Sequence, residues 1–421
     1  MSEGAAADNA AEEQSTRDRV GVVALLAANL VSLTGNQVTM FALPWFVLEQ
    51  TGSAAQTALV AATQMGAFLL AAIWGGVIVD RFGPKWLSVI SDGVSCLSIV
   101  MIPILMETVG LDLWQILVLA FGGAILDSPG GNARYGIVTD LIDRTRWSTE
   151  RVYSAFSSAD GVARIAGPIF AGGLIAWIGA VNALWVDAAS FAISALLIGI
   201  LVPRTSRPEM PPSTFFGDVR AGWDYLRARP VLTRFFSLIV CVNLTAVPLA
   251  AVVVPKIARD HYDSSRAGGL MLAADGVGVI LGGLAFGMLG RRLTSYRSML
   301  FALTVLFLSL VLLSALLPVS ISIVALGLTG LGFGFLVPNN QSIYRRITDV
   351  EFRGRLLGLR DAVVGLTAPA MVVIVGLTLD VAPITPVIMA LSVINLVVLI
   401  WFVREPLFRQ FNQPEAEPPA P

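Results

Sequence analysis

Long apolar runs, each closed by a short cluster of charges, alternate along the whole chain. Runs such as Phe301–Leu317 are apolar on every face, the pattern of a helix surrounded by lipid and other apolar helices. A helix needs about 20 mostly apolar residues to cross a bilayer. On that measure the sequence predicts twelve spans, at 21–48, 54–79, 86–108, 112–138, 152–176, 182–202, 230–256, 264–289, 297–317, 319–343, 356–378 and 384–403. Short alternating segments of the kind that build a membrane β-barrel do not occur, so the predicted class is an all-α membrane protein.

The longest connection, 203–229, lies between spans six and seven and divides the chain into halves. It opens on a Pro-rich stretch, Pro203 to Pro212. It then places Phe215 or Phe216, Val219, Trp223 and Leu226 on one helical face, with Asp218, Arg220 and Arg227 elsewhere. That pattern predicts an amphipathic helix at the membrane surface. The organisation read from the sequence is a disordered segment over 1–19, a six-helix bundle over 20–202, the linker over 203–229, a second six-helix bundle over 230–404 and a disordered tail over 405–421. Residues 1–19 are polar and acidic with no apolar core, so they are not a secretory signal, and span one is expected to act as the insertion signal.

Composition sharpens this picture: 56% of residues are hydrophobic and only 14% charged, which excludes a water-soluble fold. The positive charges set an orientation, because short-loop Lys and Arg stay cytoplasmic. With the N-terminus inside, Lys256, Arg259 and Arg266 fall in an external loop and Arg164 within a span, leaving 24 of the 28 Lys and Arg on the inner side. Both termini are therefore expected in the cytoplasm, the chain sitting in a bacterial inner membrane. Cys96 and Cys241 fall inside spans and read as packing residues, and the lone His261 sits in a loop, so no disulfide and no metal site are expected.

The halves repeat. At an offset of 211 Pro44 aligns with Pro255, Gln64 with Asp275 and Gly76 with Gly287; at 209 the segment Pro129–Asp140 meets Pro338–Asp349, sharing Pro, Tyr, Thr and Asp. At 201 Asp160 meets Asp361 and Pro168 meets Pro369. Six spans per half give both halves the same orientation, related by a pseudo-two-fold axis along the membrane normal, an architecture suited to alternating access.

Between spans two and three the chain reads Gly76-Val-Ile-Val-Asp80-Arg81-Phe82-Gly83-Pro84-Lys85, which resembles the G-x-x-x-D-R-x-G-x-[KR] motif of the major facilitator superfamily. In physical terms Gly76 allows close helix approach, Asp80 caps or pairs at a neighbouring helix end, Gly83 permits a tight turn, and Arg81 and Lys85 hold the loop inside. Span five holds Gly161, Gly167, Pro168, Gly172 and Gly173, similar to the antiporter-associated Gly-Pro motif of that superfamily's exporters. The segments Ala42–Ser53, Asp187–Phe191 and Arg353-Gly-Arg resemble the branch containing macrolide-efflux pumps, the enterobactin exporter and the mycobacterial Tap multidrug pump. The resemblance implies a twelve-helix secondary transporter that works as an exporter. Where such relatives commonly carry Gly-Asp in span one, this chain has Gly35-Asn36-Gln37, so a proton role at that position is lost.

A charged side chain near the bilayer centre costs about 2.5–3.5 kcal/mol and faces the protein interior. Proton-coupling candidates are Asp275, mid-span and pseudo-symmetric with Gln64, together with Asp160, Asp127 and Asp361; for each, a structural role stays open. Asp160 and Arg164 are four apart and are expected to form a buried ion pair, with anion binding by Arg164 as an alternative. Asp92 and Asp187 read as structural. Asn36, Gln37, Gln64 and Asn243, with Phe41 and Trp45, are expected to line a central cavity for an amphipathic ligand.

No G-x-x-x-x-G-K-[ST] loop appears, so an ion gradient rather than ATP is the expected energy source, with no cofactor. No nucleophile–base constellation points to an enzyme. The expected partners are a small-molecule substrate, protons and the lipid bilayer, with no nucleic acid, in a monomer. Export of hydrophobic or amphipathic compounds by proton antiport is the leading expectation; export of an endogenous metabolite or siderophore, and a non-transporting sensor or scaffold, are the alternatives.

Overall fold

The structure, a computed structural model, describes residues 2–145, 147–203, 215–289 and 293–412, with side chains except at 2–15, 72–82, 143, 150, 164, 165, 168, 215, 216, 218, 219, 350 and 412. Helices of the first half are α1 (Ser2–Thr51), α2 (Ala54–Phe82), α3 (Pro84–Thr108), α4 (Leu113–Ala124), α5 (Asp127–Arg144), α6 (Thr149–Ile178) and α7 (Ala180–Leu201). After α8 (Phe215–Arg227) come α9 (Pro230–Pro248), α10 (Val254–Asp260), α11 (Ser265–Leu289), α12 (Ser295–Ser314), α13 (Val319–Ile347), α14 (Arg353–Val381) and α15 (Ile384–Arg404). Eleven helical segments among the described residues are long and apolar enough to cross a membrane, and α6, apolar over Ile169–Ile178, makes the twelfth. No strand occurs among the described residues. In lipid only such internally hydrogen-bonded helices, or a closed barrel, can span.

Two predicted spans are interrupted. Span four breaks between α4 and α5, and span seven carries a π-helical turn, Leu249–Val253, between α9 and α10. Pro255 has no N–H to return to the carbonyl four residues back, which displaces the regular ladder just before it.

The chain groups into two compact units: Met1–Leu43, Thr63–Gly167 and Ala180–Pro211 form the first, and Pro44–Ala62, Pro168–Gly179 and Pro212–Pro421 the second. One end of α1, α2 and α6 is thus grouped with the second half of the sequence. The first unit is built around Val22, Leu25, Ile137, Leu141, Phe156 and Ile198. In the second, Phe235, Leu306, Tyr344 and Phe402 form the centre.

Both chain ends depart from the sequence reading. Residues 2–19, expected to be disordered, continue α1, consistent with the high helix propensity of their Ala and Glu content. The expected disordered tail begins with a 3-10 turn, Pro406–Asn412, whose Phe408 and Phe411 are buried, Phe408 stacking on Phe402 at 5.1 Å and Phe411 meeting Phe235 edge-on at 5.7 Å. Hydrophobic anchors outweigh the Pro- and acid-rich composition that follows them. Residues 413–421 lie outside the described residues.

The linker helix α8 packs through Tyr225 and Leu226, both buried, while Trp223 is 40% exposed with the Arg227 guanidinium 5.1 Å over its ring. Tyr225 stacks on Phe352 at 4.1 Å and its hydroxyl accepts from Asp349 N at 2.9 Å. The helix expected here is thus present, while the side chains of Phe215, Phe216, Asp218 and Val219 in the same pattern lie outside those described.

Candidate functional site

Helices of the first unit direct polar side chains into its interior. α3 carries Ser88, Ser91, Asp92 and Ser95 at helical spacing, so they share one face, and all four are buried. α1 adds Asn29 and Ser32, α5 adds Arg134 and Tyr135, α6 adds Asp160 and α7 adds Ser194. Polar groups in an apolar interior must satisfy one another.

They do so around Arg134, which is only 3% exposed. Its Nη2 lies 2.5 Å from Asp92 Oδ1 and donates to Ser32 Oγ at 3.0 Å. Its Nε donates to Ser88 Oγ at 3.1 Å and its Nη1 to Asn29 Oδ1 at 3.2 Å. Ser194 Oγ donates to the other oxygen of Asp92 at 2.7 Å. Every guanidinium nitrogen has a partner, which is what makes a charge in this setting tolerable.

Asn29 carries the network onward. Its Nδ2 donates to Asp160 Oδ1 at 2.6 Å, and the Tyr135 hydroxyl donates to Asp160 Oδ2. Asp160 is half-buried and Tyr135 is 36% exposed, so the network runs from a sealed end at Asp92 to an accessible end at Asp160. Among the described side chains it holds two carboxylates and one guanidinium.

Asp127 and Asp187 also belong to this unit. Asp127 opens α5 and accepts from Ser95 Oγ at 2.9 Å. Asp187, fully buried on α7, accepts from Thr39 and, at 3.1 Å, from Ser190. A methyl group at Gly35 would overlap Asp187 and Ser190. The carboxylate beside Gly35 thus comes from α7, while α1 itself supplies Asn36.

The oxygens of Asp160 accept from Asn29 and Tyr135, and the expected ion pair with Arg164 rests on a side chain outside the described residues. Several other expectations change. Asp361 is not a buried acid: its side chain is 68% exposed and pairs with the adjacent Arg360 at 2.7 Å. Trp45 is 1% exposed, donates from Nε1 to Glu49 at 2.7 Å and packs on Gly268, so it is a packing residue rather than a cavity wall. Asn243 is half-buried and spends its amide on Ile239 O of its own helix at 2.9 Å.

Other candidates keep an available polar group. Asp275 is half-buried midway along α11 with no side-chain hydrogen bond or ion pair among the described residues. Gln64 is half-buried, and its Oε1 is buried without a partner. Asn36 and Phe41 are half-buried on α1, and Gln37 packs against Gly167, where a methyl group would strike its side chain. The Gly-Pro motif therefore includes a direct α1–α6 contact. Gly172 meets the backbone of Gly269 on α11, Gly173 faces open space, and the Pro168 ring lies outside the described side chains. In the span-two motif Gly83 has φ 75°, the turn its glycine was expected to permit, and Lys85 Nζ donates to Val202 O at 2.6 Å. Gly76, Asp80 and Arg81 belong to α2, but their side chains are outside those described.

Arg134 is the residue the sequence reading missed, having counted it with the inner-side positive charges. The signals were present: it sits inside the repeated segment Pro129–Asp140, and four polar residues on one face of span three needed partners.

Comparison with known proteins places these features. The family model described as Major Facilitator Superfamily matches residues 25–265 and 236–421. The chain is similar to the multidrug efflux pump Tap of Mycolicibacterium fortuitum, with 27% identity over 92% of this chain and 96% of the relative. It is similar to macrolide efflux protein A of Streptococcus pyogenes, with 24% identity over 84% and 88%. The crystal structure of the nucleoside transporter NupG aligns with a TM-score of 0.72 at 13% identity, covering 91% of this chain and 98% of that one, a likeness of fold.

Proposed function

The chain belongs to the major facilitator superfamily, and from that premise we propose that it exports hydrophobic or amphipathic small molecules, antibiotics among them, by proton antiport. It does so from a bacterial inner membrane with both termini in the cytoplasm, as a monomer, without cofactor and without enzymatic activity. The similarity to Tap and to macrolide efflux protein A supports the substrate class.

The observation that carries the coupling is the Asp92–Arg134–Asn29–Asp160 network, in which the buried Arg134 guanidinium of α5 bonds to side chains of α1 and α3, and Asn29 extends the network to the half-buried carboxylate of Asp160 on α6. A proton arriving at Asp160 withdraws an acceptor from Asn29 and changes how α1 is held against α6. The Gln37–Gly167 contact lies on the same helix pair, so proton occupancy and helix packing act on one interface. Each charge moved inward across the membrane is worth about 2.3 kcal/mol per 100 mV, enough for one or two protons to drive substantial extrusion.

The test is proton flux in proteoliposomes on addition of drug, compared between wild type and Asp160→Asn, alongside a resistance panel in a pump-deficient host. Wild type should show drug-dependent flux and confer resistance, and Asp160→Asn should lose both while remaining folded. Drug-dependent proton flux undiminished in Asp160→Asn removes the network from the coupling. Absence of any drug-dependent flux in wild type, with no resistance, rejects antiport of drugs.

A further inference from the structure

The turn between α1 and α2 is gripped by side chains from the second half of the sequence. α1 ends at Thr51, Gly52 reverses the chain at φ 72°, and α2 begins at Ala54 with Ser53 before it. The first N–H groups of a helix have no partner of their own. Here Asp380, one residue from the end of α14, takes them: its Oδ1 accepts from Ala54 N at 2.7 Å and its Oδ2 from Ala55 N at 3.2 Å and from Ser53 Oγ at 2.6 Å. Ser53 Oγ in turn accepts from Gln56 N at 3.2 Å. Three amides and a hydroxyl of the first half are thereby tied, directly or through Ser53, to one carboxylate of the second.

The acceptor side of the same turn is held as well. Lys256 Nζ, on α10, donates to Gly52 O at 3.2 Å while paired with Asp260 at 2.8 Å, and the Arg259 guanidinium lies against Gly52 and 3.5 Å from Asp260. One turn along α14 from Asp380, on the same face, Gly376 lies so close to α2 that a methyl group there would strike Ala58 Cβ and Ala54 O. A second small-residue contact, Gly172 on Gly269, joins α6 to α11. All these groups belong to the second compact unit, which takes in the Pro44–Ala62 and Pro168–Gly179 segments of the first half.

We infer that Asp380 is the outer latch of the transport cycle: its carboxylate, seated on the N-terminus of α2 through the close contact at Gly376, holds the external side shut and must let go when that side opens. This rests on the alternating-access reading and on the orientation given above. The chemistry suits a reversible device. Bonds from backbone N–H to a carboxylate at a helix N-terminus are charge-assisted and aligned with the helix dipole. Asp380 is exposed, so both partners return to water on opening and the latch does not become a trap. In sequence α2 likewise carries an acid near its C-terminal end, Asp80, two residues before Phe82.

The experiment measures the distance between spin labels at Thr51→Cys and Pro383→Cys, with Cys96 and Cys241 replaced by Ala, in lipid nanodiscs without substrate or gradient. Asp380→Asn and Asp380→Ala should raise the ratio of open to closed outer ends by about tenfold, the scale of losing charge-assisted bonds at an exposed helix end. Asp380→Glu should keep the wild-type ratio within about twofold, because it preserves the charged acceptor. Should the acid variants fail to fold, Ser53→Ala and Gly376→Ala decide, since each weakens the latch while leaving the carboxylate in place and each should raise the open fraction. A wild-type distance distribution in folded Asp380→Asn and Asp380→Ala, or failing those in both Ser53→Ala and Gly376→Ala, overturns the inference. Distances that respond as expected in a protein showing no drug-dependent flux would instead retain the latch and reject the antiport reading.

Discussion

Arg134 offers the most quantitative test of how the first unit is held together. Arg134→Met keeps most of the side-chain volume but leaves Asp92, 2% exposed, without its cation, and leaves Asn29 Oδ1 and Ser88 Oγ without their donor. Breaking a buried pair by removing one partner costs about 3–5 kcal/mol, chiefly because the remaining charge is stranded. Replacing both members by apolar residues of similar size is often neutral, so Arg134→Met combined with Asp92→Leu should regain most of that loss. Arg134→Lys should fall between, at about 1–3 kcal/mol, because an ammonium keeps the charge but cannot reach Ser88, Asn29 and Asp92 together as the guanidinium fork does. The assay is equilibrium unfolding of the purified protein in nanodiscs, with proton flux measured on the same samples. A single Met variant as stable as wild type, or a double variant no more stable than the single, would refute the argument that this pair is buried and mutually dependent. The double variant should still lack coupled transport even where it regains stability, since the charge that organises the network is gone.

Three further outcomes follow from particular contacts. Asp361→Asn should leave drug-dependent proton flux within about twofold of wild type, because a solvated surface pair is worth only about 0–1 kcal/mol, in contrast to the loss expected of Asp160→Asn in the same assay. Phe408→Ala should destabilise the protein by about 3–5 kcal/mol in the unfolding assay, as a fully buried aromatic ring would and a residue of a disordered tail would not. Gly83→Ala should cost about 1–3 kcal/mol in that assay, because φ 75° with ψ 154° is a region that only glycine occupies readily, even though a methyl group there meets no neighbouring atom.

Much of this protein was legible in its sequence. The twelve spans could be read because contact with lipid is a property each segment displays along its own length, in runs such as Phe301–Leu317. The superfamily was legible in the turn after span two, since Gly83 and Lys85 perform local tasks that fix residue type and spacing. Partnerships among buried polar groups were not. Nothing in the sequence joined Asp160 to Asn29, 131 positions away, and Arg134, counted with the inner-side charges, became the centre of the first unit's interior. Asp380 shows the same thing at the surface, finding the amide of Ala54 at a separation of 326. The physical reason is that burial in lipid is decided segment by segment, while the satisfaction of a polar group inside the bundle depends on which distant helix happens to face it, and only the packed structure settles that.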